Sequence, residues 1–393
     1  MHKRPHCTPD SIHANPHSFI TLALYQNILN AILCAVVLLP SAIVVYRLYA
    51  SCETKVADTF GGRFWSFFFD SSPSPYNRAP FLVPGEWCKV AVNQPFVFAN
   101  ALFFFNVTVG FWLIGLLQRS FWLIDPYWTI IPPLLGHLYQ YHPKAQSDSY
   151  RSALVLGLLW TWSLRLTHSY FRREEWKFGQ REDWRYTKMA ADYPKLWPLL
   201  SFFAVGLAQQ PMLLGISAPA LAAHTDATPF GLADVLCALG CVAGLAVARL
   251  ADNQLAAYMA CTPRPTPLLN TGVWRYSRHP NYFGEQLFWW SFSAFAVRLG
   301  QPIWVLGTAF NSLILATVTF MTEERMLTRW SKERVELYRE YIRTTSPCIP
   351  WFPKASKVLP VSAAGEGQES AARASASATP KGKKTPKRQS KAL

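Results

Sequence analysis

Long, mostly apolar runs of about 20 residues recur along this 393-residue chain, and a helix needs a run of that length to cross a bilayer. The backbone of such a run must satisfy its own hydrogen bonds once it leaves water. The expected fold class is therefore all-α, a polytopic membrane helical bundle of about eight transmembrane helices. The candidate spans are 19–49, 95–118, 120–140, 152–170, 196–221, 229–250, 284–299 and 302–321. Asp125 and the pair Pro132-Pro133 interrupt the third, which is expected to be a broken helix lining a cavity. Gly300-Gln301-Pro302 is expected to turn the seventh span tightly into the eighth.

Lys and Arg gather in the short loops that stay on the cytosolic side. The 171–195 loop carries Arg172, Arg173, Lys177, Arg181, Arg185, Lys188 and Lys195, and the 251–283 loop carries Arg264, Arg275 and Arg278. The 222–228 loop has neither residue type and is expected to be lumenal. Alternation then puts both termini in the cytosol. The expected organisation is a cytosolic N-terminus over 1–18, N-terminal spans with a lumenal loop over 19–118, a second membrane domain with a cofactor site over 119–353, and a disordered basic tail over 354–393. The tail, rich in Ala, Ser, Gly, Pro and Lys, cannot bury enough apolar surface to offset the entropy of ordering.

The net charge of +15 does not signal nucleic acid. The basic residues flank apolar spans or fill the tail, no DNA-binding motif is present, and anionic lipid is the expected partner. The eight cysteines include no CxxC pair, so no metal is expected. Cys52 and Cys88 share the lumenal loop and are a candidate disulfide. Asn106-Val107-Thr108 has the form of a glycosylation sequon but lies in an apolar run, where it should go unused.

One stretch concentrates chemistry. Thr271 to Glu285 holds Trp274, Arg275, Tyr276, Arg278, His279, Asn281, Tyr282 and Glu285 directly before an apolar helix. Arg suits phosphate because its planar fork gives paired, charge-assisted hydrogen bonds. Tyr and Trp offer flat surfaces for an aromatic ring, and Asn can read a carboxamide with both a donor and an acceptor. Such a set fits a phosphorylated, ring-bearing cofactor. The plain alternative is an interfacial loop of snorkelling Arg and belt aromatics.

The run WRYSRHPNYFGE, followed by Trp289-Trp290, resembles the C-terminal domain of the steroid 5-alpha reductase family, in its uncharacterised multi-span branch. Asp125 and Trp128, Trp162 and Arg165-Leu166, Glu182 to Tyr186, Gln209, Asp252 and Gln254, Glu323-Glu324-Arg325, and Tyr338 with Tyr341 fall where that branch has similar elements. The resemblance covers roughly 120–353. It implies NADPH in a cytosol-facing cavity and reduction of a carbon–carbon double bond in a hydrophobic, lipid-like substrate, with the endoplasmic reticulum as the default membrane. Carried over by position, the cofactor would be lined by Asp252, Gln254, Trp274, Arg275, Tyr276, Arg278, His279, Asn281, Tyr282, Glu285, Trp289, Glu324, Tyr338 and Tyr341. Asp125 is the candidate catalytic acid or the partner that orients it, and a helix cap or a partner for Arg165 is its plain reading; Arg165, the other candidate catalytic residue, would hold Asp125, a phosphate or a lipid headgroup. The chain departs from the steroid enzymes at Ala248, where they carry Asn, and at Glu323-Glu324, where they carry a His-rich segment.

Two other readings share some of these residues. Isoprenylcysteine carboxyl methyltransferases, which bind S-adenosylmethionine, also have an Arg-His-Pro-x-Tyr-x-Gly run and a later Glu-Glu pair. A non-catalytic, sterol-binding descendant of the reductases is the other.

Overall fold

The computed structural model describes residues 17–51, 85–179 and 181–355. The tail beyond 355, most of the loop after the first span, and Cys52 of the candidate disulfide lie outside these residues. Every regular element among the described residues is helical. In chain order they are α1 His17–Val36, α2 Leu39–Ser51, α3 Gly85–Asn93, α4 Pro95–Gln118, α5 Ile124–Gln140, α6 Ser149–Arg173, α7 Trp184–Asp192, α8 Trp197–Thr225, α9 Leu232–Ala260, α10 Pro280–Arg298, α11 Val305–Arg329 and α12 Lys332–Thr344.

Local chemistry sets the helix starts. Asp148 and Asp183 each cap a helix by accepting from the backbone N–H two residues on, at 2.9 and 2.8 Å. Pro95 and Pro280 open α4 and α10, where the missing N–H has no helical partner to lose. Gly300, at φ +73°, makes the turn between α10 and α11.

Among the described residues, five helices are long and apolar enough to cross a membrane by length and composition: Leu24–Arg47, Pro95–Gln118, Trp197–Thr225, Leu232–Ala260 and Pro302–Arg329. That is fewer than the eight expected. The other three expected spans fall on α5, α6 and α10, which do not reach that measure of length and apolarity. They bury Tyr139, Arg151, Trp162, Trp289, Phe292 and Phe295 almost completely. A helix surrounded by protein can carry polar and aromatic residues that a lipid-facing helix cannot. The helix expected to break at Pro132-Pro133 does not. Both prolines are buried and α5 continues through them. The irregularities lie elsewhere: α4 and α8 each contain a π-helical stretch, Phe104–Phe111 and Phe202–Leu207, and these face each other.

Helices α9 and α10 pack backbone to backbone. A side chain added at Gly284 would lie 2.5 Å from the Ala248 nitrogen, and one at Gly244 would lie 2.5 Å from the Phe288 nitrogen. Gly240, Gly244 and Ala248 thus form a smooth ridge, one residue per turn, of the kind that brings membrane helices together. The Ala248 departure follows from this crossing, which has no room for an Asn. Gly284 serves the crossing too, since what approaches it is a helix backbone. On the other flank, α8 and α11 meet at Gly215 and Gly307.

Candidate functional site

Three elements that are far apart in sequence meet at Arg165 on α6. Its guanidinium bonds Asp252 of α9 at 3.1 Å and also pairs with Glu285 of α10. Trp162, one turn earlier, donates its indole N–H to the other Glu285 oxygen at 2.8 Å, and Ser169 donates to Asp252 at 3.0 Å. The side chains are 7–17 % exposed, so this is a nearly dry hub of one cation and two carboxylates. Uncompensated charge at such a site is costly, and each carboxylate therefore carries a neutral donor as well. The sequence left Arg165 open between Asp125, a phosphate and a lipid headgroup. The structure pairs it with Asp252 and Glu285 instead, because 165, 252 and 285 face the same seam of α6, α9 and α10.

Asp125 occupies a second centre next to this hub. It lies within electrostatic reach of Asp183, Arg173, Arg185 and Glu174, and of the Tyr170 and Tyr186 hydroxyls. Its carboxylate makes no hydrogen bond among the described residues. Above it runs a chain in which Trp128 donates to Gln209 at 3.0 Å and Gln209 donates to Tyr186 at 3.3 Å. Trp128 packs on Trp162, which links the two centres. Asp183 is held on α7 by a two-pronged pair with Arg185, at 2.9 and 2.7 Å. Burial pushes the Asp183 carboxyl up, but the Arg185 hydrogen bonds and charge outweigh it and bring it below its ordinary value.

The third centre is the loop before α10. Arg278 grips Glu323 of α11 with two bonds, at 2.8 and 3.1 Å, and gives two more N–H groups to the Ile342 and Thr345 carbonyls. Four of its five guanidinium N–H groups are therefore committed within the chain. His279 bonds the same Glu323 at 3.0 Å and stacks on Tyr282. Tyr341 of α12 donates to the Trp274 and Ser277 carbonyls. Burial pushes its hydroxyl well above the ordinary tyrosine value, which keeps it a donor. Ser277 reaches the Cys348 carbonyl at 2.7 Å. The loop, α11, α12 and the segment after it are thus one clamped unit.

The predicted residues divide accordingly. Asp252 and Glu285 join the hub, and Arg278, His279, Tyr282 and Tyr341 join the clamp. Gln254 accepts from Val273 N–H at 3.0 Å and splints the 272–275 turn, while Trp274 is buried and donates to the Ala251 carbonyl at 3.2 Å. Trp289 packs in the core against Trp162, and Tyr338 packs on Trp330. Arg275 and Tyr276 are exposed. Glu324 is exposed as well; its neighbour Glu323 is the one that enters the site. Helical spacing carried that signal, because Glu323 stands about four turns from the buried Thr308 on the same face of α11. Two orphaned atoms stand out. Asn281 Oδ1 and Arg165 Nε are both buried without a hydrogen-bond partner. No group of three or more His, Cys, Asp or Glu among the described residues could hold a metal ion.

The long apolar helices around this polar interior define an integral membrane protein of helical type. Residues 111–345, more than half the chain, match the family described as "Protein of unknown function (DUF1295)", and the chain belongs to that family. It is 27% identical over 288 residues to the "Uncharacterized protein C594.04c" of Schizosaccharomyces pombe, covering 68% of this chain and 78% of the relative. No solved structure matches the chain.

Proposed function

We propose that this protein is a membrane-embedded, NADPH-dependent reductase of a carbon–carbon double bond in a hydrophobic, lipid-like substrate. The observation that carries this reading is convergence. Short motifs scattered from 125 to 285 fold onto one connected polar interior, through Trp128, Trp162, Arg165, Asp252 and Glu285. With α5, α6 and α10 counted as spans, the chain would cross eight times. The basic 171–195 loop would then lie in the cytosol with both termini, in the endoplasmic reticulum membrane.

The residues fit the cofactor in part. The Asn281 carbonyl oxygen is buried and unpartnered, which suits the N–H of a nicotinamide carboxamide. Arg275 is exposed and open to a phosphate, whereas Arg278 is occupied. Bound NADPH would supply a hydride to one alkene carbon. Asp125, free of hydrogen-bond partners beside Tyr170 and Tyr186, would deliver the proton to the other carbon. The dry hub would hold α6, α9 and α10 in register beneath the reacting groups.

The test is parallel titration of the purified protein with NADPH and S-adenosylmethionine, with Asn281→Ala and Arg275→Ala. NADPH binding that both substitutions weaken supports the reading. In that case Asp125→Asn should keep NADPH binding and lose turnover. Preferential binding of S-adenosylmethionine would replace it with the methyltransferase, and binding of neither ligand would favour the non-catalytic reading.

A further inference from the structure

A separate cluster lies one turn beyond the hub, on the outer seam of α6 and α9. Arg249 donates to His168 Nδ1 at 3.0 Å. A guanidinium can only donate, so this nitrogen is the acceptor and the ring carries its proton on Nε2. Arg172 lies beside them, bonding Asn253 at 3.0 Å and the Asp252 carbonyl at 3.1 Å. Both arginines lie within electrostatic reach of the imidazole. The neighbouring carboxylates are committed elsewhere, Asp252 to Arg165 and Ser169, and Glu175 to Lys177. Among the described residues, Arg172 and Arg249 bond neutral groups and make no ion pair with a carboxylate.

The backbone adds a second observation. Glu175 and Trp176 are consecutive non-glycine residues at φ +53° and +60°. Such a pair is uncommon and costs conformational energy, which surrounding contacts must hold in place. The contacts here are Trp176 N–H on the Phe171 carbonyl at 2.8 Å, the indole stacked on Phe171, and its edge against His168. The result keeps Trp176 60 % exposed at the rim of the basic cluster. One turn towards the apolar part of α6, Leu164 is 64 % exposed.

We infer that His168, Arg172, Arg249 and Trp176 form a binding site for a phosphate monoester at the membrane edge. Two guanidinium forks and an imidazole N–H supply charge-assisted bonds to the oxygens, and the indole covers the group attached to them. The phosphate could be borne by a soluble nucleotide or by a lipid headgroup. The soluble case deepens the reductase reading, since 2′,5′-ADP is the phosphorylated adenosine half of NADPH, whereas the headgroup case stands apart from it; the two tests change different residues.

The full chain, purified and stripped of lipid, is titrated with 2′,5′-ADP in detergent and with phosphatidic acid in phosphatidylcholine nanodiscs. Arg249→Gln and Trp176→Gly are measured alongside. At least a tenfold loss of affinity in both variants is expected for one probe. Loss for 2′,5′-ADP identifies a soluble phosphate, and loss for phosphatidic acid identifies a headgroup. Glycine accepts positive φ without strain, so Trp176→Gly should keep or raise the thermal midpoint while binding falls, which separates ligation from support of the fold. If wild type binds both probes no more tightly than the two variants do, the site is refuted.

Discussion

Replacing Arg278 with Ala should release the C-terminal unit while leaving the spans folded. The guanidinium is 8 % exposed and Glu323 12 %, so the substitution strands a nearly buried carboxylate with only His279 and the Tyr338 hydroxyl near it. It also deprives the Ile342 and Thr345 carbonyls of their donors. Breaking a buried ion pair from one side costs about 3–5 kcal/mol. Spread over the docking of α12, that corresponds to a rise of roughly two to three and a half orders of magnitude in its undocked population. Hydrogen exchange read by mass spectrometry is the assay: amides of 332–355 should lose protection by about that factor, and those of α9 and α10 should change little. Arg278→Lys should recover only part of it, since an ammonium cannot match both carboxylate oxygens and two carbonyls at once. Glu324→Gln, at the exposed neighbour, should behave as wild type. Wild-type protection of α12 in Arg278→Ala would refute the argument that this pair holds the unit together.

Other outcomes follow from the same contacts. Gly284→Val or Ala248→Asn should abolish folded protein on size-exclusion chromatography, because either side chain must enter the α9–α10 backbone contact. Trp162→Phe keeps an aromatic ring but removes the indole donor to Glu285 and some buried volume, and it should cost at least about 1–3 kcal/mol, seen as a lower midpoint in detergent. The Asp183 carboxyl sits below its unfolded value near 3.8, so its contribution is complete above that pH and is lost as pH falls through the lower folded value. Proteolysis of the 181–192 segment in acid should therefore accelerate below about pH 4 in wild type. In Asp183→Asn that acid step should be missing.

The sequence determined the solvent of this protein and the cast of its site. Apolar runs of bilayer length and basic short loops made it a helical membrane protein, because backbone hydrogen bonding and charge desolvation act locally on each segment. The same local reading found Arg165, Asp252 and Glu285, since ionisable residues near apolar helices are rare unless they have a purpose. Only tertiary packing decided who partners whom. Arg165 meets Asp252 and Glu285, and Arg278 is spent on Glu323 and two carbonyls, leaving Arg275 and Asn281 open. Hydropathy sets α5, α6 and α10 apart from the five long apolar helices, and what it cannot read is how deeply they are buried. What surrounds a helix is set by its neighbours, and a single strand of sequence records the side chains but not the faces they meet.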